Sequence, residues 1–417
     1  MTVHDDCFAC GTAPMTVDEA LALLARRATV AVPTEVVPIR RALGRVLAQD
    51  VVAALSLPPC DNAAMDGYAV FFDDLVPGAE TRLPVTARVP AGAVLSHPIL
   101  RGQAVRIFTG AAMPDGPDTV VMQEHCRVDG DHVVLPPGIQ RGANRRPAGG
   151  DVTPGTVVLS AGRRLRPQDL GMAAAIGQAE LTVYRPLRVA LFSTGDELRE
   201  PGTPLPAGCI HDANRYSVSA LLEGLGCAVT DLGILADRVE VVRTALAAAA
   251  ASHDLIVTSG GVSTGEEDHV RAAVEGQGRL HFWRLAVKPG KPIAMGQVGD
   301  VPFLGLPGNP VAAMVTFLVV ARPLVLRLSG RTETAVPRHG VRADFTFRKP
   351  AGRREFLRAR LRTGEDGQPE AVTFPAQGSA ILSSMVHSDG LVDLGERIET
   401  VQPGDTVTFL LFADLMH

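Results

Sequence analysis

Apolar positions along the chain change their period several times, and each change marks an element or a unit. After a polar start, Thr16-Val-Asp-Glu19 places a hydroxyl and a carboxylate three residues apart, the spacing of a capping box. Val17, Leu21, Leu24 and Ala28 then recur at helical spacing, which predicts a helix ending near Arg27. Val36 to Val52 mixes strand-like and helix-like pieces. From Leu83 to Pro137 short apolar alternations are broken by Pro and Gly, the pattern of a small all-β unit. Leu159 to Tyr184 reads as one helical piece, Pro167 to Ile176, followed by a strand.

At Leu187 the texture becomes α/β. An apolar strand runs into Ser193-Thr194-Gly195-Asp-Glu197, and a helix with Val218, Leu221, Leu222 and Leu225 on one face follows. A strand from Val229 to Leu235 ends near Asp237, and an alanine-rich helix covers Val239 to Ala251. Leu255-Ile-Val then reads as a buried parallel strand stopping at Ser259-Gly260-Gly261. Asn309-Pro310 starts a nearly all-apolar helix, which Pro323 is expected to kink or end. Strand alternating with helix over 187–330 predicts a doubly wound parallel sheet. From Thr332 to His417 short strands and turns predict a small β-barrel or sandwich.

Composition sets the outer limits. A chain of 417 residues exceeds one typical domain, and 46% hydrophobic content allows several cores. Only 4% of residues are aromatic and the net charge is −5, which argues against a nucleic-acid partner. The longest apolar run, Val311 to Leu328, is interrupted by Thr316, Arg322, Pro323 and Arg327, so no membrane span is expected. The first residues do not read as a signal peptide, and a cytoplasmic protein is the expectation. Cys7 and Cys10 form a single C-x-x-C without a second pair, which favours free thiols over zinc. No P-loop, Rossmann fingerprint or H-E-x-x-H motif is present.

The candidate chemistry sits at strand ends, where ligands bind in open α/β sheets. Ser193–Glu197, Asp237, Ser259–Asp268 and Lys288–Lys291 all fall there. Glycine turns with hydroxyls can cradle an anion, and nearby carboxylates then call for a divalent cation between them. The plainer reading of Ser259–Asp268 is a βα turn with an acidic first helical turn, which suits the helix dipole. Two further loops are polar: Asp61–Ala69, where Asx-turn chemistry is the plainer reading, and Arg141–Asp151, with three arginines suited to phosphate or carboxylate.

Six segments occur in fixed order: Asp61–Ala69, Ile107–Pro114, Ser193–Leu198, Asp254–Asp268, Lys288–Pro292 and Leu306–Pro310. Together they closely resemble the bacterial molybdopterin molybdenumtransferase (MoeA) family and the E-type domains of its eukaryotic relatives, over about residues 15 to 417. The resemblance implies an elongated homodimer of four-domain subunits. A segmented N-terminal domain would take 15–52 and 150–186, an inserted β-rich domain 53–149, a molybdopterin-adenylyltransferase-like α/β domain 187–330, and a C-terminal β-barrel 332–417. The implied reaction inserts molybdate into adenylylated molybdopterin and releases AMP, with Mg²⁺ required. Partners beyond the substrates would be the molybdopterin adenylyltransferase and molybdoenzyme chaperones.

By the same resemblance, Glu197, Asp237 and Asp268 would hold the metal, and Ser193, Thr194, Gly195, Ser259, Gly260, Gly261 and Ser263 the substrate phosphates. Lys288 and Lys291 match family lysines near the oxyanion, and Arg284 stands where a lysine is frequent. Pro307, Gly308 and Asn309 belong to the substrate-binding set, and Arg353 and Ser379 match positions that help hold molybdate. Asp61, Thr109 and Asp151 match functional positions that would reach the α/β site of the other subunit. Ala312 departs from the family's frequent Ser, which puts one oxyanion donor in doubt. Adenylyl transfer to molybdopterin and a non-catalytic scaffold are the two competing functions.

Overall fold

The computed structural model describes residues 14–260, 269–290 and 292–416. The capping box forms as the spacing predicts. Thr16 Oγ1 accepts from the Glu19 amide at 3.1 Å, and a Glu19 carboxylate oxygen accepts from the Thr16 amide at 2.8 Å. The helix Val17–Arg27 buries Val17, Ala20, Leu23 and Leu24. That face packs into the core of the α/β sheet and the helix that follows it, rather than against its sequence neighbours.

Two stretches far apart in sequence build the first unit. Thr34–Pro38 pairs antiparallel with Glu180–Tyr184, and Val51–Val52 pairs with Val157–Leu159. Val37, Leu47, Leu159, Leu165 and Val183 share one core beneath the helix Pro167–Ala175. The intervening chain folds as a six-stranded sheet in the order Thr119–Met122, Gly67–Val70, Ala104–Ile107, Thr81–Val89, His132–Leu135, Arg127–Asp129. All its pairings are antiparallel except that of Thr81–Val89 with Ala104–Ile107.

The α/β unit carries a six-stranded sheet ordered Ala228–Leu235, Arg188–Thr194, Leu255–Ser259, Val301–Leu306, Pro292–Val298, Gly278–Arg284. The first four strands are parallel, and the last two complete it as an antiparallel edge. Alternate residues of each central strand face opposite layers, the period of two that a pleat imposes. Val189, Leu191, Leu255 and Val257 pack on Asn214–Gly224 and on the helical run from Pro310. Ala190, Phe192 and Ile256 pack on Val239–Ser252 and His269–Glu275.

The helix after Asn309 does not end at Pro323. It continues through Pro323 to Leu328 as one run. A π-helical turn, Phe317–Ala321, precedes the proline, so Pro323 falls in the first turn of a new α-register, where its missing N–H is not needed. By length and hydropathy this run could cross a bilayer, but 89% of its most apolar window is buried inside the protein. It is a core helix. Asn309 occupies the N-cap position without a side-chain cap bond.

The last unit closes on itself. Arg354–Thr363, Pro369–Thr373, His339–Ala343, Thr406–Leu411 and Gly390–Leu394 pair in sequence around a ring, and Gly390–Leu394 returns to pair with Arg354–Thr363. This five-stranded barrel has no free edge along its seam. Val287–Lys288 leaves the α/β unit to pair parallel with Arg354 and Glu355, tying the two units by backbone bonds.

Asp254 anchors the base of the α/β sheet. It accepts from the Arg188 amide at 2.8 Å and from Arg185 Nη2 at 3.0 Å. Burial alone would raise its pKa, but the Arg188 and Arg185 bonds outweigh burial and hold it below the ordinary carboxylate range. A depressed folded pKa contributes stability above the unfolded value of about 3.9, lost as pH falls through the folded pKa. We therefore expect Asp254→Asn to cost about 2 kcal/mol at neutral pH, the exposed side of Arg188 reducing the loss. Denaturant midpoints of mutant and wild type should converge below about pH 4; a gap that stays constant with pH would refute this account.

Candidate functional site

Register brings the bends of the α/β sheet into one row. Ser193 lies beside Ser259, Ser259 beside Leu306, and Thr194 beside Leu235. The chain therefore leaves four parallel strands at the same level, the carboxyl edge where α/β sheets bind ligands.

Two glycines there are required by geometry. Gly195 has φ +151°, and a Cβ on it would lie 2.6 Å from Glu197 Oε2, so the carboxylate folds back over the turn. Gly260 has φ +87°, and a Cβ would come within 3.0 Å of the Thr194 carbonyl oxygen. Gly308 abuts Gly260 across the cleft. Thr194 Oγ1 donates to Asp237 Oδ1 at 3.0 Å, orienting that acid toward the turn. Asn214 Nδ2 donates both to Ser259 Oγ at 2.8 Å and to the Gly308 carbonyl at 2.7 Å. Ser259 Oγ in turn donates to the Pro307 carbonyl at 3.3 Å. Asn214 thus stitches two bends together. An Asn in the first turn of the helix Asn214–Gly224 carries no sequence signal that it reaches across a sheet.

Ser193, Thr194, Gly195, Glu197, Asp237, Ser259, Gly260, Pro307, Gly308 and Asn309 all belong to this cleft. Ser193 Oγ is buried without a partner. Gly261, Ser263, Asp268 and Lys291 lie outside the described residues.

A second, cationic cluster lies on the barrel side. Lys288 Nζ stands 3.3 Å from Glu355 Oε2, and Arg353 Nη2 donates to Glu355 Oε1 at 2.5 Å. Glu355 is buried, while Lys288 is half exposed. Next to Lys288 the chain bends at Gly290, φ +106°, where a Cβ would strike Thr316 Oγ1 of the core helix at 2.1 Å. The Ser379 carbonyl accepts from the Val311 amide at 3.0 Å, so the barrel loop caps the same helix that Asn309 begins. Lys288 and Ser379 therefore stand near the start of this helix, and Arg353 joins them through Glu355. Ala312 lies on it too, and its side chain offers no donor.

Glu355 and Arg358 were not singled out from the sequence. Arg358 is enclosed, with Nε on Ser384 Oγ at 3.0 Å and Nη2 on the Gly378 carbonyl at 3.2 Å. Burial pushes its pKa down to about 10. Its own peptide exchanges two bonds with the Gln377 side chain, so it fixes the loop that carries Ser379. Three apart on one strand, Glu355 and Arg358 face opposite sides, and that alternation does not show what either holds.

Asp61, Thr109 and Asp151 form a third group, on the inserted sheet and its junction. Asp61 Oδ1 accepts from the Ala148 amide at 2.8 Å and Oδ2 lies 3.5 Å from Arg145 Nε. The amide and hydroxyl of Thr109 both donate to Asp66, and these bonds hold the Asp66 carboxyl below its usual range. Asp151 is exposed, with its amide on the Leu57 carbonyl. Among the described residues no hydrogen bond or ion pair joins this patch to the other two groups. Arg284 is exposed, and its carbonyl accepts from the Met15 amide.

Among the described residues no three acids, histidines or cysteines gather to hold a metal ion. Glu197 and Asp237 nonetheless supply oxygen donors at one turn, which suits a cation that takes one or two carboxylates and completes its shell with phosphate oxygens and water.

Family models match the chain in order. The MoeA N-terminal region (domain I and II) covers residues 15–177, a probable molybdopterin binding domain 190–327, and the MoeA C-terminal region (domain IV) 340–412. The fold and its cleft thus define a multidomain protein with a molybdopterin-binding type of α/β domain at its centre. Molybdopterin molybdenumtransferase of Haemophilus influenzae is 39% identical over 407 residues, 96% of this chain and 100% of that protein. Molybdopterin molybdenumtransferase 2 of Mycobacterium tuberculosis is 36% identical over 377 residues, 88% of this chain and 92% of its own length. The crystal structure of the molybdopterin biosynthesis MoeA protein of Pyrococcus horikoshii superimposes with a TM-score of 0.81 at 29% identity, covering 96% of this chain and all of that one. The chain belongs to the molybdopterin molybdenumtransferase family.

Glu355→Ala should leave Arg353 and Lys288 beside a cavity with no counter-charge. We expect a loss of about 2 kcal/mol, softened by the solvent that reaches Lys288. Glu355→Gln, which keeps the volume and one acceptor, should lose less. Chemical denaturation of both variants checks this, and equal stability of Glu355→Ala and wild type would dismiss the role.

Proposed function

We propose that this chain inserts molybdenum from molybdate into adenylylated molybdopterin, releasing AMP and forming molybdenum cofactor. The observation that carries the reading is the alignment of Ser193, Ser259 and Leu306 at one sheet edge, with Glu197 and Asp237 on the adjoining turns. In this reading the amide at Gly195 faces the substrate phosphates, the Gly260 amide being held by the Leu306 carbonyl at 3.2 Å, and the bend at Pro307–Asn309 closes the far wall. Lys288 and Arg353, held by Glu355, draw the oxyanion toward the start of the core helix, and Ser379 is positioned by Arg358.

Two anionic reactants repel each other unless positive charge stands between them. Glu197 and Asp237, with Asp268, would hold Mg²⁺, which would supply Lewis-acid charge to the phosphates as AMP departs. The protein's own cations screen the molybdate side. We further propose that the subunits pair as a homodimer, so that Asp61, Thr109 and Asp151 complete the site of the opposite subunit. The four units are taken to divide at 15–52 with 150–186, 53–149, 187–330 and 332–417. The setting is cytoplasmic, with the substrate received from the adenylyltransferase and the product passed to molybdoenzyme chaperones.

Purified protein incubated with adenylylated molybdopterin, Mg²⁺ and molybdate should release AMP only when molybdate is present. AMP release without molybdate, or none at all, would remove the reading. Glu197→Gln and Asp237→Asn should each slow release by about 100-fold while leaving thermal stability nearly unchanged.

A further inference from the structure

A cavity of about 650 Å³ lies where the segmented N-terminal unit meets the chain leaving the core helix. None of the residues placed in the three groups above lines it. Its walls carry four arginines, Arg163, Arg164, Arg166 and Arg331, and a single acid, Glu333. This volume is typical of small-molecule sites.

The arginines differ in what they hold. Arg163 and Arg166 bond to the buried Asp169, with Arg163 Nη1 at 3.1 Å from Oδ1 and Arg166 Nε at 3.1 Å from Oδ2. Among the described residues Arg164 has only carbonyl partners, Gly44 at 3.2 Å and Gly224 at 3.1 Å, which leave its charge unneutralised. Arg331 is the least satisfied. Its Nη1 is out of solvent and has no hydrogen-bond partner. Burial and then the neighbouring charge of Arg164 push its pKa down, with Glu333 opposing. Arg322 behind it is pushed down to about 10, first by burial and then by Arg331. Its guanidinium donates to the carbonyls of Thr334 and Asp414.

Concentrating like charges around a cavity is unfavourable unless something else is gained. A carboxylate from the chain could have neutralised Arg331, as Asp169 does for Arg163 and Arg166, yet the wall offers only Glu333. Arg331 and Arg164 line the cavity with no bonded carboxylate among the described residues, and a guanidinium fork matches a tetrahedral oxyanion, which accepts two parallel bonds. We propose that this cavity is a binding site for a phosphate-bearing small anion, with Arg331 its principal donor and Arg164 its second cation. Glu333 sets an upper limit on affinity by repelling the same ligand.

The test uses the full chain with inorganic phosphate, pyrophosphate and AMP as probes, and sodium chloride at matched ionic strength as control. Titration calorimetry and thermal melting should show binding of at least one probe beyond the chloride control. Phosphate or pyrophosphate alone would assign a free anion, and AMP alone a phosphomonoester on a nucleotide. Arg331→Gln should weaken that binding at least tenfold. It should still fold, because it removes an unneutralised cation. Glu333→Gln should tighten binding severalfold, a change in the opposite direction that lost stability cannot mimic. The proposal is overturned if no probe exceeds the chloride control. It is equally overturned if both variants bind as wild type does, which would place the anion in the α/β cleft.

Discussion

The parallel ladder running from Ala228–Leu235 through Arg188–Thr194 and Leu255–Ser259 to Val301–Leu306 is the constraint from which the cleft follows. Ladder bonds fix neighbouring strands in register, and a slip of one residue would exchange the two faces of a strand. Here both faces are buried under helices, and their side chains differ in size and neighbours. Slippage is therefore opposed from both layers. The bends inherit that precision: Ser259 can meet Asn214 and Pro307 only because its strand ends level with its neighbours.

The core helix transmits the same order to the barrel. Its first turn receives the Ser379 carbonyl from one side and sits under the Gly290 bend on another. Val287–Lys288 then joins the barrel through backbone pairing with Arg354 and Glu355. The backbone that carries Lys288 and Arg353 is consequently fixed relative to the sheet by main-chain bonds. Asp18 of the first helix adds a further tie, accepting from Arg354 at 2.9 Å, while Arg354 also grips Asp393. A site that must bring two polyanions together gains from such preorganisation, since cations already in place need not be ordered when substrate arrives.

Local chemistry was legible in the sequence wherever one segment decides its own structure. The capping box at Thr16, the alternation of the inserted sheet and the strand–helix rhythm after Leu187 each rest on contacts within a few residues. Illegible features all depend on contacts distant in sequence. Asn214 reaches a carbonyl on another strand, Glu355 pairs with a lysine from a different unit, and the proline in the core helix is absorbed by a π turn. The antiparallel edge of the α/β sheet belongs with them, because apolar strand segments carry no record of direction. Ordered motifs identified the family before any of these pairings could be derived, because that resemblance already incorporates them.

The buried arginines show why charge counts from a sequence say little about where anions go. Arg215 and Arg354 are both buried, yet both are raised in pKa. Burial acts against Arg215, but its bonds to Asp231, Glu200 and Asp212 outweigh it, and Asp393 does the same for Arg354. These two are structural, their charge already spent inside the protein. Arg358 and Arg331 are lowered by burial, which no hydrogen-bonded carboxylate among the described residues offsets. What separates these two is access. Arg358 is enclosed by carbonyls and a serine, so no ligand can reach it, and its effect is confined to the loop it holds. Arg331 borders an open cavity. An overall charge of −5 therefore coexists with local positive fields, because the acids are committed elsewhere. Electrostatic selectivity for oxyanions arises from where neutralisation is withheld, and that is a property of the fold, not of the composition.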